Sequence, residues 1–418
     1  MRIAIVGSGV SGLVCAHLLA ERHDVVLYES AEGFGGHAHT ITVTLDGTAH
    51  AVDTGFMVYN ERNYPILTRL FAENEVSTRP SDMSFAMSDD EADVEWCGSS
   101  LATVFAQVRN VVRPAFWRML RDVVRFNRAA LALLDETENL GFSLGDFLRA
   151  GGYSSSFVEW YLVPMGAAIW SADPEQFLDF PAASLARFFA NHGLLALRNR
   201  PQWRTVVGGS VSYVEALVEP LGARARRATP VRRVSRLDEG VAVESDAGVE
   251  VFDHVVMACH SDEALALLEA PTRLERELLS AIKYRENSAV VHTDVAMMPR
   301  RPRARASWNW RRRPGVAAPT LTYDLSRLQG LDSSRPLYLT LNQVDDVDPT
   351  QVLATLNFAH PVFDFAAMDA QRRHREISGV DRISYAGAYW GYGFHEDGAR
   401  SAYEVCRALG VEVAEVSA

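Results

Sequence analysis

The feature that most constrains this chain is a short run, Arg2–Val6, that ends on glycines spaced Gly7-x-Gly9-x-x-Gly12 and continues into an apolar stretch over residues 13–21. A buried strand, a glycine turn and a helix in that order predict the start of a dinucleotide-binding unit. Gly7 permits the tight turn, Gly9 lets a pyrophosphate approach the backbone, and Gly12 lets helix and strand pack closely. Ser11 shares this loop, where the helix N-terminus offers N–H groups to phosphates. Residues 24–28 read as a second strand ending on Glu29, where a carboxylate can bind ribose hydroxyls. That acid favours an unphosphorylated ribose over that of NADP.

The stretch from Glu29 to Thr40, ESAEGFGGHAHT, carries a second glycine pair, Gly35-Gly36. It resembles the E-A-x-x-R-x-G-G-R motif of the flavin amine oxidase, carotenoid desaturase and protoporphyrinogen oxidase superfamily, whose members bind FAD. Gly33 and His37 stand where that motif has basic residues, and His37 retains a hydrogen bond to offer. Asp53-Thr54-Gly55 is similar to a D-x-G segment that lies near the flavin in this superfamily. YLVPMGAAIWS (161–171), VVGGS, VMACHSDEAL, SWNW (307–310), HPVFD and GFHEDG follow in order. Together they resemble a bacterial group of FAD-dependent oxidoreductases often encoded beside cyclopropane-fatty-acid-synthase-like lipid methyltransferases. One departure is Tyr323-Asp324-Leu325-Ser326, where the group has an aromatic and an asparagine after the tyrosine.

The resemblance implies an α/β fold: a Rossmann-like FAD-binding domain of the amine oxidase type, discontinuous over 1–75, 205–270 and 375–418. An interleaved α+β substrate domain occupies 76–204 and 271–374. Residues 206–217 read as a strand end, a glycine turn and a helix start, 230–243 as strands around a turn, and 253–258 as a buried strand. Residues 300–313 read as including a surface loop. A strand over 382–386 precedes a helix over 399–409, with Asp397 and Gly398 as helix-start residues. In the superfamily this helix points its N-terminus at the flavin. The expected cofactor contacts are therefore Gly7, Gly9, Ser11, Gly12, Glu29, Gly35, Gly36, His37, Thr40, Asp53, Gly55, Val231, Gly387, Glu396 and Asp397. Helix capping by Asp397 is the simpler alternative.

Composition narrows the partners. A net charge of −12 over 418 residues opposes binding to a phosphate backbone, so no nucleic acid is expected. Cys15, Cys97, Cys259 and Cys406 form no C-x-x-C pair and read as buried free thiols. HEDG lacks the second histidine of an H-E-x-x-H site, so no metal is expected. The N-terminus shows no signal-peptide pattern and no run of 18 apolar residues occurs, which predicts a cytoplasmic protein with peripheral membrane contact left open.

Two substrate classes compete. Many amine oxidases of the superfamily hold a water at the flavin with a lysine, and this chain has only Lys283, outside the matching strand read at 288–294. No cysteine occurs in 390–397, where covalently flavinylated relatives carry one, so FAD is expected to be noncovalent. Between 101 and 130, Arg109, Arg113, Arg118, Arg121, Arg125 and Arg128 face a single acid, Asp122, among many apolar residues. A basic amphipathic helix pair broken near Pro114 follows, suited to an anionic membrane, such as the inner face of the plasma membrane, or to a solvated bundle face. Family context adds lipid methylation and a methyltransferase partner.

The expected reaction is therefore desaturation of an unsaturated or methyl-branched acyl chain, in a phospholipid, by hydride transfer to flavin N5. Tyr323, His360 and His395 are the catalytic candidates, and Trp170, Trp308, Trp390 and Tyr392 the substrate contacts. Oxidation of a small amine, a carotenoid or other polyene desaturation, and a non-enzymatic flavin-binding partner remain as alternatives.

Overall fold

The computed structural model describes residues 1–135, 141–170, 176–196, 200–316 and 319–413. Its first layer is a five-stranded parallel sheet in the order 225–226, 24–28, 2–6, 254–257, 383–385. Both faces are covered, which explains why Arg2–Val6 and His254–Met257 read as nearly continuous apolar runs. Ile3 and Ile5 pack with the helices Val10–Leu19 and His395–Ala408 on one face. Ala4 and Val6, pointing the other way, pack against the three-stranded sheet 231–252 and the helix Arg273–Ala281.

The second layer is a seven-stranded sheet in the order 352–362, 283–292, 338–341, 320–324, 308–312, 85–89, 94–97. Its neighbours pair antiparallel except 308–312 with 85–89, which run parallel. A helical layer covers one side, built around the helices Pro114–Asp135, Val163–Trp170 and Ala182–Asn191 and a core of Phe126, Phe157, Phe188 and Phe189.

Two expectations are corrected here and one is refined. The first helix spans Val10–Leu19, starting at the loop itself because Leu13 N–H already donates to Gly9 O. The loop read within 300–313 precedes Trp308–Arg312, which is a strand inside the large sheet. The last helix begins at His395, four residues before Ala399, because Asp397 accepts from the Phe394 N–H and closes the first turn from within.

Candidate active site

One cavity of about 940 Å³ runs from the carboxyl ends of the parallel strands to the large sheet. At its first end stand Gly7, Ser8, Gly9, Ser11 and Glu29, with Gly36, His37 and Gly55 beside them. The three fingerprint glycines separate cleanly by cause. Gly7 sits at φ +103, and a Cβ on Gly12 would lie 1.9 Å from Gly7 O, so the protein's own backbone demands both. Gly9 has an ordinary φ of −61 and no protein atom within 4 Å of its would-be Cβ. Nothing in the protein requires a glycine there, so the requirement comes from what the cavity holds.

That cradle fits a dinucleotide. Gly9 carries no side-chain cap, so the N-terminus of Val10–Leu19 faces the cavity with its N–H groups free for phosphate oxygens. Glu29 accepts from Ser8 N–H at 3.0 Å and Ala31 N–H at 2.8 Å, which holds its carboxylate at the strand end where ribose hydroxyls belong. His37 lines the same wall with Nε2 buried and without a partner. Burial, together with His360, His260 and other nearby histidines, drives its pKa down to about 3, so it faces the ligand as a neutral ring.

Other expected contacts lie elsewhere. Thr40 and Asp53 do not line the cavity: Thr40 Oγ1 donates to Asp53 at 2.6 Å and Asp53 accepts from Ser210 N–H at 2.7 Å, which ties the hairpin 40–53 to the Gly208-Gly209 turn. Burial raises Asp53 to about 6. Gly35, at φ +121, folds its N–H back to Ser8 O. Val231 is buried in the core under the three-stranded sheet.

Glu396 also turns away, because its carboxylate accepts from Ile66 and Leu67 N–H at 2.9 and 3.2 Å and thereby caps the helix Pro65–Glu73. Burial raises it to about 7. Asp397 is a helix cap, as the simpler alternative had it, and lies off the cavity. Gly387 remains on the wall.

The far half is apolar and aromatic. Trp170, Trp308, Tyr323 and Tyr392 all line it, with Trp308 edge-on to Tyr323 at 4.9 Å. Trp390 does not: it stacks on His374 at 4.2 Å, outside the cavity. A wide π-type turn over Val158–Leu162 carries Tyr161 onto the wall.

His360 and His395 both reach the cavity. Asn287 Nδ2 donates to His360 Nδ1 at 3.0 Å, an orientation set by Asn287 Oδ1 accepting from Asn342. The neutral ring therefore carries its proton on Nε2, which makes His360 a donor there and removes it as a base while that bond lasts. Burial keeps Tyr323 protonated and holds His360 at about 4 and His395 at about 3. Of the three catalytic candidates, only His395 has a buried ring nitrogen without a partner, Nε2.

Six of the twelve histidines line this cavity: His37, His39, His192, His260, His360 and His395. Among the described residues no three histidines, cysteines or carboxylates are placed to hold a metal ion. His260 went unnoticed in the sequence, yet a signal existed. It follows the strand His254–Met257, and residues just past the carboxyl ends of parallel strands line ligand crevices. Trp96 comes from the large sheet, and Phe188 and His192 from the helix Ala182–Asn191 and its end, and none of them had such a signal.

Lys283 opens the strand Lys283–His292, nine residues long beyond it, but its side chain is exposed and pairs with Asp364 at 3.7 Å rather than entering the cavity.

Comparison with known proteins agrees with this geometry. The family model described as flavin containing amine oxidoreductase matches residues 10–320. A carotenoid phi-ring synthase of Streptomyces griseus is 30% identical over 65% of this chain and 54% of its own length. AofH of Mycobacterium tuberculosis, named as a flavin-containing monoamine oxidase, is 26% identical over 61% of this chain and 56% of its own. The chain thus spans about half the length of the curated relatives it matches. Among solved structures, a CLA-producing fatty acid isomerase from P. acnes superposes with a TM-score of 0.71 at 16% identity, covering 97% of this chain and 98% of that one. Cyclohexylamine oxidase from Brevibacterium oxydans does so with 0.71 at 14% identity, covering 98% of both.

Proposed function

Because this chain belongs to the flavin-containing amine oxidoreductase family and binds FAD noncovalently, we propose that it is a flavin-dependent oxidoreductase whose substrate is a long apolar acyl chain, desaturated in the far half of the cavity. When bound, FAD supplies the capacity to accept a hydride from carbon. The protein's own residues supply the rest.

The observation that carries the substrate reading is the placement of charge. Among the described lining residues the only charged side chains are Glu29, Asp82, Arg200 and Glu263. Glu29 and Glu263 follow the nucleotide-sheet strands Asp24–Tyr28 and His254–Met257, and Asp82 and Arg200 are exposed. The aromatic half between them offers a cationic amine no carboxylate to replace its hydration, a transfer that costs several kcal/mol (~2 or more). An acyl chain loses nothing polar there and gains roughly 0.8 kcal/mol per buried methylene. The sequence relative named for a carotenoid supports an apolar rather than a charged substrate.

Within that half, Trp308 and Tyr323 orient the chain by contact, and the surrounding aromatic rings exclude water. His395, a neutral ring whose Nε2 has no partner, is the site at which a proton leaving the substrate is held. His360 Nε2–H is a fixed donor elsewhere on the lining of the same cavity.

The test is anaerobic mixing of the FAD-loaded protein with detergent-dispersed unsaturated or methyl-branched phospholipids, a polyene, and a panel of amines. Loss of flavin absorbance with acyl lipids is expected. Bleaching by amines alone would overturn the acyl-chain reading.

A further inference from the structure

The segment 101–131 wears its polarity inside out. Gln107 and Asn110 are 2% and 0% exposed, whereas their neighbours Val108 and Val112 are 78% and 81% exposed. The inversion is built, because both buried amides hydrogen-bond to the backbone beneath them. Gln107 accepts from Glu95 N–H at 3.0 Å and donates to Asp93 O, and Asn110 donates to Glu95 O at 3.2 Å. Arg109 and Arg113 also donate to Asp93 O, and Arg109 pairs with the Asp93 carboxylate. Polar side chains thus anchor this segment to the strand Val94–Cys97 and the turn before it, leaving valines outermost.

The helix Pro114–Asp135 continues the pattern. Trp117, Arg121, Val124, Arg128 and Leu131 are all exposed, and at about 100° per residue they share less than a quarter turn. The opposite face, with Phe116, Met119, Phe126 and Ala130, is buried. The outward stripe therefore alternates apolar groups with arginines and contains no acid. Arg118 and Arg128 make no ion pair among the described residues. Seven of the exposed large apolar residues, Leu101, Val108, Val111, Val112, Trp117, Val124 and Leu131, fall on this one segment.

From this surface we infer that residues 101–131 dock the protein on an anionic lipid bilayer, lying in its interface; the inference deepens the acyl-chain reading and rests on it for its purpose. Two observations favour a bilayer over another protein. Arginines interleaved with valine, leucine and tryptophan match the anionic headgroups and acyl boundary of an interface. The surface is also continuous with the cavity, since Gly98 and Ser99 line it and Leu101 follows two residues later, 80% exposed. No described helix is long and apolar enough to cross a membrane, so the contact lies on one leaflet. A chain drawn from that leaflet enters beside Gly98 and Ser99.

The test uses FAD-loaded protein and sedimentation with phosphatidylcholine vesicles, with and without about one third phosphatidylglycerol. Binding to the anionic vesicles, weakened by salt, is expected. Val108→Asp with Val112→Asp, and separately Arg118→Glu with Arg128→Glu, are each expected to weaken it at least tenfold at unchanged flavin content. The arginine pair is exposed and makes no ion pair among the described residues, so it carries the test even if the aspartates impair folding. Failure of the unaltered protein to bind, or binding indifferent to both pairs, overturns the inference. Vesicle binding without flavin bleaching by any acyl lipid leaves the docking face standing and overturns the substrate reading. Bleaching by detergent-dispersed lipid without vesicle binding does the reverse.

Discussion

The imidazole of His395 lies flat on the ring of Phe56, with centroids 3.9 Å apart and planes 13° apart, and its buried Nε2 has no hydrogen-bond partner. The stack fixes the ring at the first turn of the last helix, on the cavity wall. A polar nitrogen held there without a partner is costly unless it meets something in the cavity. His395→Phe preserves the planar contact and deletes that nitrogen. The flavin should remain bound and stability should change by less than about 1.5 kcal/mol. Substrate-driven flavin bleaching should slow by about a hundredfold, as for loss of a proton acceptor. An unaltered rate removes His395 from proton handling.

The glycine loop gives a paired prediction. Gly9→Ala meets no protein atom within 4 Å, so the flavin-free protein should melt as before, while its FAD affinity falls about a hundredfold or more. Gly12→Ala drives a Cβ against Gly7 O and should cost about 1–3 kcal/mol even without cofactor. Thermal melting and FAD titration of both variants check the assignment, and equal behaviour of the two contradicts it.

Glu396 is placed as a cap rather than a cofactor ligand. Glu396→Ala leaves the Ile66 and Leu67 N–H groups buried without acceptors and should destabilise the fold by about 1–3 kcal/mol while FAD affinity stays within a few fold. Denaturant unfolding and FAD titration separate these effects. Loss of FAD binding at unchanged stability restores the cofactor role.

Acid should destabilise the protein. Burial holds His37 and His395 at about 3 and His192, His254, His292 and His360 at about 4. Each is neutral when folded and takes up a proton when unfolded below about 6.5, so its stabilising share exists above that pH and is lost as pH falls towards the folded value. Asp53 and Asp397, raised by burial to about 6, and Glu396, raised to about 7, act oppositely: their share is present below about 4 and lost as pH rises through those values. With six groups against three, the denaturation midpoint should fall between about pH 6.5 and 4. A flat or rising midpoint contradicts the burial of these histidines.

Local order determined how much of this was legible beforehand. The spacing of Gly7, Gly9 and Gly12, the strand 24–28 and Glu29 lie within one βαβ start, so the nucleotide end of the site could be read residue by residue. The superfamily fold followed from the order of short motifs along the chain, and noncovalent flavin from the lack of a cysteine in 390–397. The arginines of 101–130 were visible as composition, and Pro114 as a break, because both are properties of consecutive residues.

What the tertiary structure decided was where side chains spend their hydrogen bonds. Glu396 reaches a helix 330 positions away, Asp53 is taken by Ser210, and Trp390 stacks on His374. His360 has its proton placed by Asn287 on a neighbouring strand. None of these partners is set by spacing along the chain, since a buried polar group takes whichever partner the packed layers bring within about 3 Å. For the same reason Gln107 and Asn110 face inward while Val108 and Val112 face out: the sequence supplied an amphipathic segment, and only the backbone groups of Asp93 and Glu95 beneath it decided which side was buried.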